Sequence, residues 1–377
     1  MRILKSSDKY CIAVVGVPGG ERVVKIALGD GAQLRAEVAR IRALGAYTSL
    51  RYRLPPILAA GVCTAGVFRG KESYVMPRLA GRTFSEHTQS VLTASDELAA
   101  AFRTVLAALL DIAAEHCPDP AYDGGTGRYF RTALRGELDA VRALEPFPYL
   151  LAADGVTLDG VRYAPLAVLV DRILTSNAVG ALDTGPSDIA SLGHWNFHGD
   201  NLVLEDLARA AAFRVIDPDV RMATADPLYG VARFAYTFPH DTADYQQYLI
   251  RSSLYTSGAP DFRITFLWPE VAYRHYVEQF APFVAPTDDA LVALDPRFAD
   301  GRMRLRFRLS YLQCLLRGVS ANYERAVEFV DGEATAFRHA STLLFLHALR
   351  FAAHTAAIVA SQSEARREPA SIRTASV

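Results

Sequence analysis

The sequence predicts an α+β chain whose strands come first and whose helices follow. Three observations carry that expectation. Residues 1 to 28 read as strands, interrupted by Pro18-Gly19-Gly20-Glu21, a hairpin turn signal. From Ser95 onward, apolar residues recur at helical spacing instead. With 377 residues, 51% of them apolar, the chain can bury a large core and divide into two or three units, two lobes among the options.

In order, Arg2 to Leu4, Tyr10 to Val17 and Arg22 to Leu28 are the expected strands, with the polar loop Lys5-Ser6-Ser7-Asp8-Lys9 after the first. The third strand carries one lysine, Lys25, inside Val23-Val24-Lys25-Ile26-Ala27; alone, such a lysine reads equally well as snorkelling from an edge. Leu34, Val38, Ile41 and Leu44 then mark a helix that Gly45 ends, with Glu37 on it. A lone helical glutamate is usually a solvated one. Ile57 to Val67 and Ser73 to Met76 read as two more strands, and Met76-Pro77-Arg78-Leu79-Ala80-Gly81-Arg82-Thr83-Phe84 as a strand end giving way to a short extended segment and a glycine turn.

Helices are expected over Asp96 to His116, with Ser95 as N-cap, then Gly127 to Leu144 and Pro165 to Thr175. Gly180 to Gly193 is a loop. Asp226-Pro227 suits a helix start, aspartate as cap and proline at the first helical position. About 240 to 361 reads as helical and apolar, with Phe262, Phe266, Trp268, Tyr273, Tyr276 and Phe283 interrupting. Arg302, Arg304, Arg306 and Arg308 alternate with apolar residues. A solvated basic edge is the plainer reading, a phosphate- or peptide-binding face the sharper one.

A net charge of -1 gives no sign of a nucleic-acid partner. Cys11, Cys63, Cys117 and Cys314 are scattered without Cys-x-x-Cys spacing, against a zinc or disulfide framework and in keeping with a cytoplasmic location. No membrane partner is expected: the apolar start is short, and Leu343 to Val359 carries His347, Arg350 and His354.

The most informative stretch is His194-Trp195-Asn196-Phe197-His198-Gly199-Asp200-Asn201, followed by the apolar runs Leu202-Val203-Leu204 and Phe213 to Ile216 and then Asp217-Pro218-Asp219. This reads as a polar loop, a strand, a turn, a second strand and a carboxylate at its end. Such a hairpin can bring the Asn201 amide oxygen close to Asp217. Hard oxygen ligands beside a phosphate chain are how Mg²⁺ is held in phosphoryl-transfer sites.

That order resembles the aminoglycoside phosphotransferase and choline kinase type of kinase-like enzyme, whose catalytic loop runs His-x-Asp-x-x-x-x-Asn, then two apolar strands and Ile-Asp. His194, Asn201 and Ile216-Asp217 fall in those places. A second register, with His198-Gly199-Asp200 as the His-Gly-Asp, would put Glu205 at the ligand position and a strand where a loop is needed; the first register fits better. The resemblance covers about 25 to 235. It implies a bilobal protein-kinase-like fold: a nucleotide-binding sheet lobe over 1–80, a mainly helical lobe over 81–361 with the catalytic and metal loop and the acceptor site, and a flexible tail over 362–377. It further implies ATP and Mg²⁺. Lys25, oriented by Glu37, would contact the phosphates; Ser6 and Ser7 lie in the loop that covers them; Met76 and Leu79 lie in the connector that reads adenine. Asn201 and Asp217 would hold the metal, with Asp219 a second candidate.

One position departs from the pattern. The expected catalytic aspartate is Asn196, and an amide is no proton acceptor near neutral pH. Either Asp200 supplies the carboxylate, or Asn196 only orients the hydroxyl, or the chain binds nucleotide without transferring phosphate. The acceptor implied is a hydroxyl of a small molecule or natural product, with Ser or Thr of a precursor peptide as an alternative. The second half shows no excess of carboxylates, unlike a pocket for polycationic aminoglycosides.

Overall fold

The computed structural model describes residues 2–6, 9–88, 95–237, 248–253, 260–266, 287–328 and 332–365. Helices and mainly antiparallel sheets make up the chain. In order they are β1 (Arg2–Ser6), β2 (Tyr10–Val17), β3 (Gly20–Ala27), α1 (Ala32–Leu44), α2 (Thr48–Arg51), β4 (Ala59–Val62), β5 (Glu72–Pro77), β6 (Arg82–Thr83), α3 (Phe84–Thr88), α4 (Ser95–Glu115), α5 (Thr126–Arg142) and α6 (Phe147–Ala152). There follow β7 (Val156–Leu158), β8 (Val161–Tyr163), α7 (Leu166–Leu174), α8 (Asn177–Gly180), β9 (Leu202–Leu204), β10 (Arg214–Val215), α9 (Leu228–Ala235), β11 (Tyr248–Ser253), β12 (Asp261–Phe266), α10 (Asp288–Leu294), α11 (Gly301–Glu328) and α12 (Gly332–Ala365). Two compact units result, Met1–Pro118 with Ala190–Phe234, and Asp119–Ile189 with Ala235–Val377.

The first unit is built on a five-stranded sheet of order β1-β2-β3-β5-β4. Val17 pairs with Gly20, so the β2–β3 turn has two residues, Pro18 and Gly19, and Gly19 takes φ 90°. Proline fixes the first turn position and glycine tolerates the second. Helix α1 covers the sheet: Leu34, Glu37, Val38, Ile41 and Leu44 form its buried stripe, the 3- and 4-residue spacing of one helical face. Leu34 and Val38 pack with Ala27 and Tyr74, and Met76, Tyr10 and Ile57 close the edge of that cluster. Between Ile57 and Val67 only Ala59–Val62 pairs as strand; Gly66 at φ 73° turns the chain away through the Arg69-to-Gly66 hydrogen bond.

A three-stranded sheet of order β10-β9-β6 completes this unit. At Gly81, φ 103°, an added Cβ would overlap the Leu204 carbonyl. Asp226 starts α9 by accepting from the Leu228 amide at 2.8 Å. Phe234 on α9 stacks on Phe102 of α4 and meets Phe84 edge-on, with ring centroids 4.8 and 5.0 Å apart. The side chain of the expected cap Ser95 lies outside the described residues.

The second unit is mainly helical, with α11 packed along α12 and α5, and α12 also against α7. It departs from expectation in three places. Residues 240–361 are not all helix: β11 and β12 pair antiparallel, and β12 runs parallel to β7 in a sheet of order β11-β12-β7-β8. Phe262 and Phe266 belong to β12, whereas Trp268, Tyr273, Tyr276 and Phe283 lie outside the described residues. The four arginines from 302 to 308 are not a solvated edge. They sit on helix α11, where residues four apart share a face. Arg302 and Arg306 both clamp Asp188, at 2.7 and 3.0 Å, and Arg304 and Arg308 both clamp Asp288, at 3.1 and 2.7 Å. Arg308 is only 2% exposed. Finally, Arg338–Gln362 of α12 is long and apolar enough to cross a membrane by length and composition, contrary to the sequence expectation, but two-thirds of its apolar window is buried.

Candidate functional site

The first unit brings most of the expected site residues to one place. Glu37 is the charged member of the buried stripe of α1, so the helical period alone drives its carboxylate into the sheet. A buried carboxylate must be partnered. Lys25 and Tyr74 stand directly opposite each other on β3 and β5, and both reach it: Lys25 Nζ is 2.7 Å from Glu37 Oε2, and the Tyr74 hydroxyl donates to Oε1 at 2.6 Å. Lys25 is 7% exposed and Glu37 2%. The lysine of β3 is therefore a buried, paired cation, and the snorkelling alternative is excluded.

A third group shares the amine. Lys25 Nζ lies 2.5 Å from Asp217 Oδ1, and the Tyr10 ring covers it at 4.8 Å. Burial works against the charged amine, yet Asp217 and Glu37 outweigh it and hold the Lys25 pKa above its ordinary value. Lys25 is thus fixed as a cation between two carboxylates, one buried and one with its side chain half exposed.

Asp217 is delivered by the β9–β10 hairpin. Leu202 pairs with Val215, and the Ile216 amide donates to the Asn201 carbonyl at 3.0 Å. Asn201 and Asp217 consequently flank the same end of the hairpin. Glu205, the ligand of the alternative register, lies beyond the other end of β9. Asp217 takes φ 59°, a left-handed conformation that aspartate tolerates better than most residues.

The preceding loop is fixed by backbone as much as by side chains. Asp219 N donates to His194 O at 2.9 Å, and Asn196 Nδ2 donates to Asp217 O at 2.9 Å. His194 is fully buried and stacked on Phe197, with centroids 4.5 Å apart and planes at 8°. Burial lowers its pKa to about 3 against the opposing pull of Asp217, so it is a neutral structural ring. Trp195 turns the loop at φ 57° and is 1% exposed beside His116. The short turn Gly199–Asn201 then presents Asn201. Its Nδ2 donates to Asn196 O at 3.0 Å and meets His198 Nε2 at 3.1 Å, which leaves the amide oxygen for a cation. Asp200 lies 3.7 Å from the other nitrogen of His198.

Asp219 Oδ1 already accepts from the Arg221 amide at 2.9 Å, with the Arg221 guanidinium 3.6 Å away. Met76 sits on β5 at the edge of the Lys25 sheet core, and Leu79 follows it, half-buried, in the segment before Gly81. Ser6 ends β1 with its side chain outside the described residues, and Ser7 lies outside them altogether.

Sequence reasoning missed Tyr74, Tyr10 and Arg40. Tyr74 was findable from strand register. Arg40, one helical turn after Glu37, donates to the Gly193 and Met222 carbonyls at 3.0 and 3.2 Å and so ties α1 to both flanks of the loop. Backbone carbonyls carry no residue signature, so nothing in the sequence marks it. Among the described residues, no three His, Cys, Asp or Glu side chains cluster as a metal site; the candidate set is instead one amide and one or two carboxylates. All are hard oxygen donors, and Mg²⁺ commonly takes only one or two protein carboxylates, with waters and phosphate oxygens completing its shell.

No family model and no curated protein matches the chain. Among solved structures it is similar to a crystal structure of spectinomycin phosphotransferase in complex with ADP and spectinomycin, at 9% identity over 92% of each chain, with a TM-score of 0.38. A likeness of that degree assigns neither family nor substrate.

Proposed function

We propose that the chain is an ATP-dependent O-phosphotransferase of protein-kinase-like fold that uses Mg²⁺ and acts on a hydroxyl of a small molecule or natural product. The observation that carries this is the position of Lys25 Nζ, 2.7 Å from a carboxylate on α1 and 2.5 Å from one on the β9–β10 hairpin. A lysine set by a helix glutamate and facing a candidate metal-binding aspartate is the charge arrangement that kinase-type phosphoryl transfer uses. Residues 1–80 are the nucleotide-binding part of this reading.

Lys25 would contact phosphate oxygens of the nucleotide, with Glu37 and Tyr74 limiting its rotation. Asn201 through its amide oxygen and Asp217 through its carboxylate would hold the metal, Asp219 being the less accessible candidate. Bound there, Mg²⁺ supplies charge neutralisation on the phosphates being separated. Asn196 would stand next to the acceptor. Its amide nitrogen is committed to the Asp217 carbonyl, so its oxygen is free to accept from the substrate hydroxyl and orient it. It takes no proton, which leaves through solvent as the acceptor oxygen bonds to phosphorus and the bond to the ADP leaving oxygen breaks. Missing a general base costs on the order of 10²–10⁴ in rate.

The amide at that position also favours a second reading, a nucleotide-binding scaffold without turnover. Incubation of the full chain with labelled ATP, Mg²⁺ and a panel of hydroxyl acceptors, a Ser/Thr precursor peptide included, separates the two. Slow transfer that rises on Asn196→Asp supports the enzyme; nucleotide binding with no product under any acceptor supports the scaffold.

A further inference from the structure

A primary amide can face a cation with either end, and only its oxygen is a ligand. Something must therefore fix which end of Asn201 points outward. Two groups meet its nitrogen: the Asn196 carbonyl, which can only accept, at 3.0 Å, and His198 Nε2, which accepts when the ring proton is on Nδ1, at 3.1 Å. With the amide turned over, its oxygen would face the Asn196 carbonyl oxygen, which cannot donate, and only a proton on His198 Nε2 would satisfy it. His198 is brought there by the turn itself, because the Asn201 backbone N–H donates to the His198 carbonyl at 2.9 Å and sets the two side chains side by side.

Accepting at Nε2 requires the single ring proton of neutral His198 to sit on Nδ1. That nitrogen is buried without a hydrogen bond, and the charge beside it is Asp200 Oδ2 at 3.7 Å, whose field favours a proton on the near nitrogen. The His198 side chain is 14% exposed and the Asp200 side chain 39%, so the carboxylate is wetter than the ring it acts on.

We infer that His198 is a positioning residue of the metal site, holding the Asn201 amide with its oxygen outward, and that Asp200 acts on His198 rather than as the general base. This deepens the Mg²⁺-nucleotide reading and rests on it. Outer groups that orient a ligand typically contribute 10- to 100-fold in metal affinity.

The test uses the full chain with Mn²⁺ as probe, followed by its electron paramagnetic resonance in the presence of ADP, alongside ADP binding in EDTA by calorimetry. His198→Ala should weaken Mn²⁺ binding about 10- to 100-fold and leave metal-free ADP binding unchanged. His198→Gln, which supplies an acceptor oxygen, should recover most of the loss. His198→Lys, which only donates, should do no better than alanine. Asp200→Ala should weaken Mn²⁺ less, and its transfer rate should return at saturating metal. Wild-type Mn²⁺ affinity in His198→Ala, or equal behaviour of the glutamine and lysine variants, overturns the inference alone. A rate deficit in Asp200→Ala that metal cannot restore overturns the role given to Asp200. If the wild-type chain binds no ADP, the underlying reading fails with it.

Discussion

At the scale of single residues, Lys25 holds the account together. Its amine and the Glu37 carboxylate are both buried, and the Tyr74 hydroxyl also donates to Glu37. Removing one member of a buried pair strands the other charge, at a cost of about 3–5 kcal/mol. Lys25→Met should lower stability by that amount in urea unfolding. Adding Glu37→Gln should recover most of it, since an amide tolerates burial beside Tyr74 far better than a lone carboxylate does. Equal unfolding midpoints for wild type and Lys25→Met would show that the pair is not buried as described.

At the scale of elements, two junctions decide how the site is presented. Gly81 combines φ 103° with contact against the Leu204 carbonyl. Gly81→Ala is therefore expected to part β6 from β9 and shift the strand that leads out of Asn201, seen as faster amide exchange at Leu202–Leu204. Unchanged protection there would contradict it. Asp226 caps α9 from a fully buried position. Asp226→Ala should cost roughly 1–2 kcal/mol in chemical unfolding, whereas Asp226→Asn, keeping an acceptor oxygen, should cost less; the reverse order would refute the cap.

Legibility followed the range of the interactions. The strand–turn–strand–helix order up to Leu44 could be read because each element is bounded by local signals, Pro18-Gly19 and Gly45 among them. The β7–β8 hairpin was equally local. Asp159 at φ 53° and Gly160 at φ 80° make the Asp-Gly turn of a tight hairpin, and the signal went unused. The run containing β12 was misread because aromatic and β-branched residues on a paired strand and on a buried helix look alike over six positions. The arginines of α11 were misread for another reason: their partners Asp188 and Asp288 are distant in sequence or on another element. In the site, Lys25, Glu37, Asn201 and Asp217 could be named from type and order. His198 as an orienting group could not, because its contact depends on which way an amide faces.

At the scale of the whole molecule, two buried histidines set an acid limit. Burial lowers the pKa of His194 to about 3, and burial together with Arg350 does the same to His347. Both are neutral when folded and take up protons when unfolded, as a free histidine does below about 6.5. The stabilisation this implies is complete above about 6.5 and lost as pH falls toward 3. At pH 5 each should cost roughly 2 kcal/mol relative to neutral pH. Unfolding by urea at pH 7.5 and pH 5 should show that loss, and His347→Leu should remove its own share. A variant with the full wild-type pH dependence would show that His347 is not a buried neutral ring.

The central claim is that Asn201 and Asp217 hold one divalent cation beside a nucleotide gripped by Lys25. Calorimetric titration of ATP into wild type and Asp217→Asn, each with Mg²⁺ and with EDTA, tests it most directly. The expected result is a wild-type affinity that Mg²⁺ strengthens and a variant that binds ATP without regard to Mg²⁺. Wild-type binding indifferent to Mg²⁺, or a variant with the full Mg²⁺ effect, would contradict the claim.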